Sequence, residues 1–321
     1  MNLIKQSEES ISRLRSILSN LPPGINLLDA ISSIKEPVVL SIIKEYISGS
    51  GKVAYLGPEG TFSHEVALML LNGTMIPVKG IDDIVKGVYS GQFNYGVVPF
   101  ENNLAGIVGD TIDALIKWNV GVKASVEYRV SLCLVVNNEV NSISEIKEIY
   151  SHPHAIEESK EFLSRLSITI RQTSSTAEAL NMVIGHRERA AVASRLGARL
   201  RGLKAITCGI EDKPSFTKFL ILQRDVGNIG DRSLIIFSVP NRPGSLYSAL
   251  KPFAEAELNL TMIYSRPNKM GPWEYDFILE VECSLSEAKC LNAINELREH
   301  SAYVRILGSY RYLTIQGYDD S

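Results

Sequence analysis

An α/β fold in two units is predicted by three features of the chain. Residues 52–224 alternate apolar strand-like runs with helical ones. From Arg232 onward the order is βαββαβ, that of a ferredoxin-like unit. Between them lies DVGNIGD (225–231), a polar, glycine-containing linker. At 321 residues the chain has room for two domains with sizeable cores.

The elements follow in order. Residues 1–50 read as a helical N-terminal segment: Ile4, Ile11, Leu14 and Leu18 recur at helical spacing until Pro22-Pro23-Gly24 stops the helix. Two shorter helices are predicted around Leu27–Ile34 and Pro37–Ile47, and Ser48-Gly49-Ser50-Gly51 is a flexible joint. Strands are then predicted at Val53–Leu56, Tyr95–Pro99, Val130–Val136, Ile149–Ser151, Ala190–Ala193 and Phe219–Leu222. Helices are predicted at Ser63–Asn72, Ile81–Ser90, Ile107–Lys117, Ser144–Ile146, His154–Leu166, Ser174–Gly185 and Ser194–Leu200. Strands at Val53 and Tyr95 with a return near Phe219 imply a first lobe interrupted by a second, and a cleft between two lobes is a usual place for a small ligand. The tail reads as strand Ser233–Val239, helix Ser245–Ala256, strand Leu260–Arg266, its partner Trp273–Val281, helix Ser286–His300 and strand Tyr303–Tyr310.

Composition bounds the function. The net charge of −3 gives no global basic field, so nucleic acid is not an expected partner. Lys35, Glu36 and Lys44 break the apolar stretches near the N-terminus, which has no signal-peptide pattern, so no membrane segment and a cytoplasmic location are expected. Cys133, Cys208, Cys283 and Cys290 form no CxxC pair, which predicts reduced, mostly buried thiols. His64, His152 and His154 match no metal-binding pattern; neither a metal nor a cofactor is expected.

VAYLGPEGTFSHEVA (53–67) is the most informative stretch: an apolar strand, a turn built from Gly57, Pro58 and Gly60, and a helix capped by Thr61 or Ser63. Its exposed first-turn N–H groups suit an anion, and an ordinary βα unit has the same pattern. As a motif, YLGPEGTFSHEVA resembles the opening of the prephenate dehydratase family. GVVPFENNLAGIVGDTIDAL (96–115) is similar to that family's PxENSxxGxV, SHPHA (151–155) to SHPQA, SSTAEA (174–179) to STAxA, and SFTKFLIL (215–222) to NxTRFLVL. The motifs keep the family's order over residues 52–224.

The resemblance implies a two-lobed, periplasmic-binding-protein-like catalytic domain over 52–224. Its cleft would bind prephenate, which loses carbon dioxide and water to give phenylpyruvate. The TRF threonine maps onto Thr217, whose hydroxyl would assist the departing hydroxyl; read by itself, Thr217 is equally a strand residue of high β propensity. Substrate contacts would come from Asn102, Asn103, Ser175, Thr176, Ser215, Lys218 and Phe219. Ser175 and Thr176 could grip a carboxylate at a helix start or merely cap that helix. Lys218 stands for the family's arginine, Ser215 for asparagine and Asn103 for serine; lysine keeps the charge without the bidentate fork.

NRPGSLYSALKPFAEAELNLTMIYSRPNKMGPWEYDFILEVE (241–282) resembles the ACT domain fused to such enzymes, which would span 231–314. Pro243-Gly244 opens a helix whose first N–H groups can receive a carboxylate. The family's regulatory motifs place phenylalanine against Gly244, Ser245 and Leu246, and against Ser265, Arg266 and Pro267, with Asn259 in the preceding turn. Ser245 replaces an alanine and Tyr264 a glutamate there. Phenylalanine binding between two such domains implies a homodimer or homotetramer. Arogenate, with an amine in place of the keto group, is the alternative substrate, and a non-enzymatic amino-acid sensor the alternative class. ISRLRSIL (11–18) is loosely similar to a chorismate mutase helix, but Pro22-Pro23-Gly24 interrupts the long helix such an enzyme needs. The linker predicts that removing residues 231–321 abolishes the phenylalanine response and leaves turnover.

Overall fold

The computed structural model describes residues 50–268 and 274–315; the expected N-terminal helices lie outside them. The chain runs β1 (Lys52–Leu56), α1 (Phe62–Leu70), β2 (Thr74–Val78), α2 (Ile81–Tyr89), β3 (Tyr95–Asn102), β4 (Gly106–Ile107), α3 (Gly109–Lys117) and β5 (Gly121–Val130). A second group follows: β6 (Cys133–Val136), β7 (Glu148–Ser151), α4 (Pro153–Glu158), α5 (Lys160–Ser164), β8 (Thr169–Gln172), α6 (Thr176–Asn181), β9 (Arg189–Ala193), α7 (Arg195–Leu200) and β10 (Lys204–Cys208). Then β11 (Ser215–Gln223) returns, and β12 (Arg232–Ser238), α8 (Ser245–Glu255), β13 (Leu260–Pro267), β14 (Tyr275–Val281), α9 (Ala288–Glu299) and β15 (Tyr303–Ile315) close the chain.

The first-lobe strands β1, β2, β3, β5 and β11 share one sheet, and β6–β10 form a second, ordered β10-β6-β9-β7-β8. The second lobe is therefore inserted between β5 and β11, the interruption that the return near Phe219 implied. Five strands were not foreseen: β2, β4, β5, β8 and β10. The expected run Val130–Val136 is in fact the end of β5 and the whole of β6. Segment 154–166 breaks into α4 and α5 at Ser159, and α6 ends at Asn181 rather than near Gly185.

The C-terminal unit has the predicted βαββαβ order, but its sheet does not stand alone. Arg311–Ile315 of β15 pair in parallel with Ala124–Tyr128 of β5, which makes one ten-stranded sheet ordered β13-β14-β12-β15-β5-β11-β3-β1-β2, with β4 on β3. Apolar cores follow the same continuity. Leu234, Ile236, Met262 and Ile278 share a buried cluster with Val98, Ile112 and Leu115 of the first lobe. The other face of the C-terminal sheet is covered by α8 and α9 around Phe237, Phe253, Ile294 and Leu297.

The cysteines overturn one expectation. They pair as Cys133–Cys208 and Cys283–Cys290. The first bond joins neighbours in the β6–β10 register across 75 residues of sequence, a juxtaposition that spacing does not reveal.

Candidate active site

Thr217 sits where the two lobes meet. β3 ends at Asn102, and antiparallel β11 begins beside it with Thr217 opposite Asn102 and, on its other side, Tyr128 of β5. Ser215 opens β11 just after the chain returns from the second lobe. Asn102 organises the group. Its Oδ1 accepts from the Leu104 and Ala105 N–H groups at 2.8 Å each, which fixes the amide's orientation. Its Nδ2 then donates to Ser215 Oγ and to Thr217 Oγ1, both at 3.1 Å. Ser215 Oγ in turn donates to Glu158 Oε1 of α4 at 2.8 Å, which ties the second lobe to the site. Thr217 accepts from Asn102 and donates to no group among the described residues. Its hydroxyl proton is thus uncommitted among those residues.

Glu158 and His154 were not among the expected site residues. Four residues apart on α4, they face each other at 3.5 Å, and the hydrogen bond to Glu158 raises the His154 imidazole above its usual range. The signal available in the sequence was that i,i+4 spacing, which starts from the second histidine of SHPHA. His152, by contrast, caps α4 by accepting from the His154 N–H at 3.2 Å; burial and then neighbouring His154 lower its pKa.

The loop after β1 closes the cleft from the first lobe. Thr61 is the cap of α1: its Oγ1 accepts from the His64 N–H at 3.3 Å and donates to the Leu56 carbonyl at 2.7 Å. Ser194 of the second lobe donates to the Gly60 carbonyl at 2.7 Å, and Arg201 reaches the Glu59 carbonyl at 3.1 Å. Gly60 has φ +87°, and a Cβ there would lie 2.6 Å from Gly197 Cα. Only glycine lets the lobes approach this closely.

Glu65 lies behind this loop, 3% exposed. Burial pushes its carboxyl up to about 7, against the opposing effects of Tyr128 and Arg195. The folded state therefore holds more protons than the unfolded chain between the ordinary value of 4.5 and about 7, and stability falls as pH rises through that window. Glu65→Gln removes this penalty. It is expected to stabilise the protein by on the order of 1–3 kcal/mol at pH 8 and hardly at all near pH 4. Urea unfolding at both pH values checks this; an equal effect at both would refute it.

The other expected contacts divide. Ser175 caps α6, accepting from the Glu178 N–H at 3.0 Å, and Thr176 begins that helix; both stand at the C-terminal edge of the parallel strands β7, β8 and β9, the edge where α/β sheets bind ligands. Asn103 is not directed to the cleft. Its side chain bonds the Pro214 carbonyl at 3.1 Å and the Phe216 N–H at 2.7 Å, clamping the start of β11. Phe219 is a core residue, 2% exposed, packed edge-on against Tyr128. Lys218 is also corrected: successive strand residues point to opposite faces, so its ammonium leaves the Thr217 side and lies 3.0 Å from Glu101 and 3.2 Å from Glu280.

In the C-terminal unit, Gly244 takes φ +84° and caps α8. The Ser245 N–H bonds the Arg242 carbonyl at 3.2 Å, and Leu246 follows in the first turn. Ser265, Arg266 and Pro267 lie at the far end of β13, where Arg266 makes a bidentate pair with Asp113 of α3 at 2.6 Å. Asn259 precedes the opposite end of β13, roughly 20 Å away along the strand, and donates to Glu282 at 2.9 Å. A single chain does not bring all seven residues together. Among the described residues no group of His, Cys, Asp or Glu is placed to hold a metal ion, and no helix is long and apolar enough to cross a membrane.

Residues 53–226 match the family model for prephenate dehydratase, and residues 233–299 that for the ACT domain. A bifunctional chorismate mutase/prephenate dehydratase of Aquifex aeolicus is 33% identical over 272 residues, which covers 83% of this chain and 75% of that protein. Prephenate dehydratase from Arthrobacter aurescens in complex with L-Phe superposes with a TM-score of 0.75 at 27% identity, over 81% of this chain and 90% of that one. A structure described as the quorum-quenching acylase GqqA reaches the same TM-score and identity, over 81% and 97%. With its motifs in order, its two-lobed fold and a family model matching residues 53–226, the chain belongs to the prephenate dehydratase family and carries a C-terminal ACT domain.

Proposed function

We propose that Thr217 is the catalytic hydroxyl of this enzyme in the conversion of prephenate to phenylpyruvate. The observation that carries this reading is the direction of the Asn102 hydrogen bond. With Asn102 donating into Thr217 Oγ1 at 3.1 Å, the threonine proton points outward, where it can bond the ring hydroxyl as it leaves with the electrons of the breaking C–O bond. Loss of carbon dioxide supplies the electron pair that completes the aromatic ring. Aromatisation drives the reaction, so orientation of the substrate and stabilisation of one developing negative charge are what the site must provide. Ser215 and Glu158 hold Asn102 in place, and Thr176 and the α6 start stand ready for a substrate carboxylate.

Phenylalanine is the effector, bound by Gly244, Ser245, Leu246, Asn259, Ser265, Arg266 and Pro267. The separation of Asn259 from the others along β13 favours a site shared by two copies of the chain, hence a homodimer or homotetramer. Location in the cytoplasm and the unit boundaries 52–224 and 231–314 belong to the same reading.

The test is phenylpyruvate formation from prephenate at neutral pH, with and without phenylalanine, beside a blank without protein. Turnover that phenylalanine lowers supports the assignment. Turnover of arogenate alone would change the substrate, and turnover of neither would leave an amino-acid sensor.

A further inference from the structure

A buried cluster of charge links the C-terminal domain to the strand that carries Thr217. Glu280, on β14, is fully buried and serves four partners. Lys218 of β11 lies at 3.2 Å, Arg232 of β12 at 2.9 Å, Thr261 of β13 at 2.6 Å and Tyr310 of β15 at 2.7 Å. A carboxylate so placed must be paired to remain charged. Burial alone would raise its pKa, but Lys218, Thr261, Arg232 and Tyr310 together hold it below its ordinary value. The aromatic walls are Phe100 and Tyr312, each 5.9 Å from the Lys218 ammonium, and Arg232 stacks on Tyr312 at 3.6 Å.

Two irregularities in strand pairing flank this cluster. Between β3 and β11 the register slips after Lys218–Glu101, leaving Phe100 as the extra residue. Between β13 and β14 it slips at Leu260/Met262, leaving Thr261 as the extra residue. A bulge re-aims the side chain it contains, and here both turn toward the Glu280–Lys218 pair. Lys218 is bonded also to Glu101, the residue before Asn102. One ammonium therefore pins β3 to β11 at the position adjoining the Asn102–Thr217 hydrogen bond. One carboxylate pins that ammonium to β13, whose far end carries Ser265 and Arg266.

We propose that Glu280 is a positioning residue for Thr217: through Lys218 it fixes the β3–β11 alignment in which Asn102 orients the catalytic hydroxyl, and Thr261 makes that hold respond to a ligand on β13. This rests on the reading of Thr217 as the catalytic hydroxyl and of phenylalanine as the effector. A ligand that shifts β13 moves the Thr261 hydroxyl relative to Glu280 and redistributes the carboxylate between Lys218 and Arg232. The change reaches the active site through a single ion pair rather than through motion of a whole domain.

The experiment follows the Thr217 methyl group by NMR in the full chain with ¹³C-methyl threonine, assigned by its loss in Thr217→Ala. Phenylalanine is titrated into the wild type, Thr261→Val and Glu280→Gln. Calorimetry measures binding in the same samples, and turnover gives the half-inhibiting concentration. In the wild type the Thr217 signal is expected to move on saturation. In both variants phenylalanine should still bind within about threefold, while the half-inhibiting concentration rises about tenfold or more and the Thr217 shift largely disappears. Glu280→Asp, which keeps the charge, should recover part of the shift. A full Thr217 shift in bound Thr261→Val would overturn the inference, as would a wild type that binds phenylalanine without moving Thr217. A Thr217 shift in a wild type that turns over no prephenate would keep the coupling and discard the dehydratase assignment. Failure of the wild type to bind phenylalanine would overturn the effector reading and the inference with it.

Discussion

Thr217→Ala is expected to lower kcat on prephenate by on the order of 10²–10³-fold, the usual loss when one positioned donor to a developing anion is removed. The substrate's carboxylates do not depend on this hydroxyl, so KM should change far less. Folding should be little affected, because the half-buried side chain makes one hydrogen bond, accepted from Asn102. Thr217→Ser keeps a hydroxyl in the same bond and should retain most of the activity, within about tenfold, the deficit reflecting the freer rotamer of serine. Steady-state kinetics on the three proteins settle the matter. An alanine variant with wild-type kcat would leave Thr217 as a strand residue and no more.

Removal of residues 231–321 is expected to abolish turnover along with the phenylalanine response, because the truncated chain should not fold stably. The linker in the sequence suggested the opposite. The structure changes the expectation for three reasons. β5 would lose its parallel partner β15 over Ala124–Tyr128 and be left as an open edge, a site for aggregation. Val98, Ile112 and Leu115 would lose the apolar face of Leu234, Ile236 and Ile278, and at roughly 1.5–3 kcal/mol per fully uncovered side chain that is a large share of the roughly 5–15 kcal/mol that holds a domain folded. Lys218 would lose Glu280 and keep only Glu101. Circular dichroism and turnover of the purified fragment test this. A folded, active fragment would show the first lobe to be self-sufficient and would restore the linker's plain meaning.

How much of this was legible in the chain depends on the range over which each signal acts. The turn-and-cap chemistry after β1 is local, and Thr61 does cap α1. The insertion of one lobe into another was legible because buried strands such as Ala190–Ala193 are continuous apolar runs. β5 was missed although it alternates strictly: Val122, Ala124, Val126, Tyr128 and Val130 between Lys123, Ser125, Glu127 and Arg129. Its charged positions, read singly, hid a period of two. β2 and β8 are sheet-edge strands: the apolar run Met75, Ile76 and Val78 of β2 is interrupted by Pro77, and β8 is exposed along its length with little apolar signal. In the site, Asn102 and Thr217 came from motifs. The opposite facing of Lys218 follows from strand alternation and was available without coordinates. The i,i+4 spacing from His154 marked Glu158, but its link to Ser215 across 57 residues was not available, nor was that of Glu280 to Lys218 across 62.

The crossing between the lobes has a mechanical consequence. Two stretches join them, residues 131–132 on the way out and 209–214 on the way back. Both leave the second lobe from Cys133 and Cys208, which are bonded to each other. The disulfide thus ties the two covalent tethers together at the edge of the second lobe, beside a buried apolar cluster in which Tyr55, Val66 and Tyr128 of the first lobe join Leu134, Ile149 and Val192 of the second. The two strands that carry the tethers can therefore not separate from each other while the bond is intact. The other disulfide, Cys283–Cys290, lies wholly within the C-terminal unit and places no constraint on the second lobe. Reduction of Cys133–Cys208 would free the two tethers from each other without cutting either.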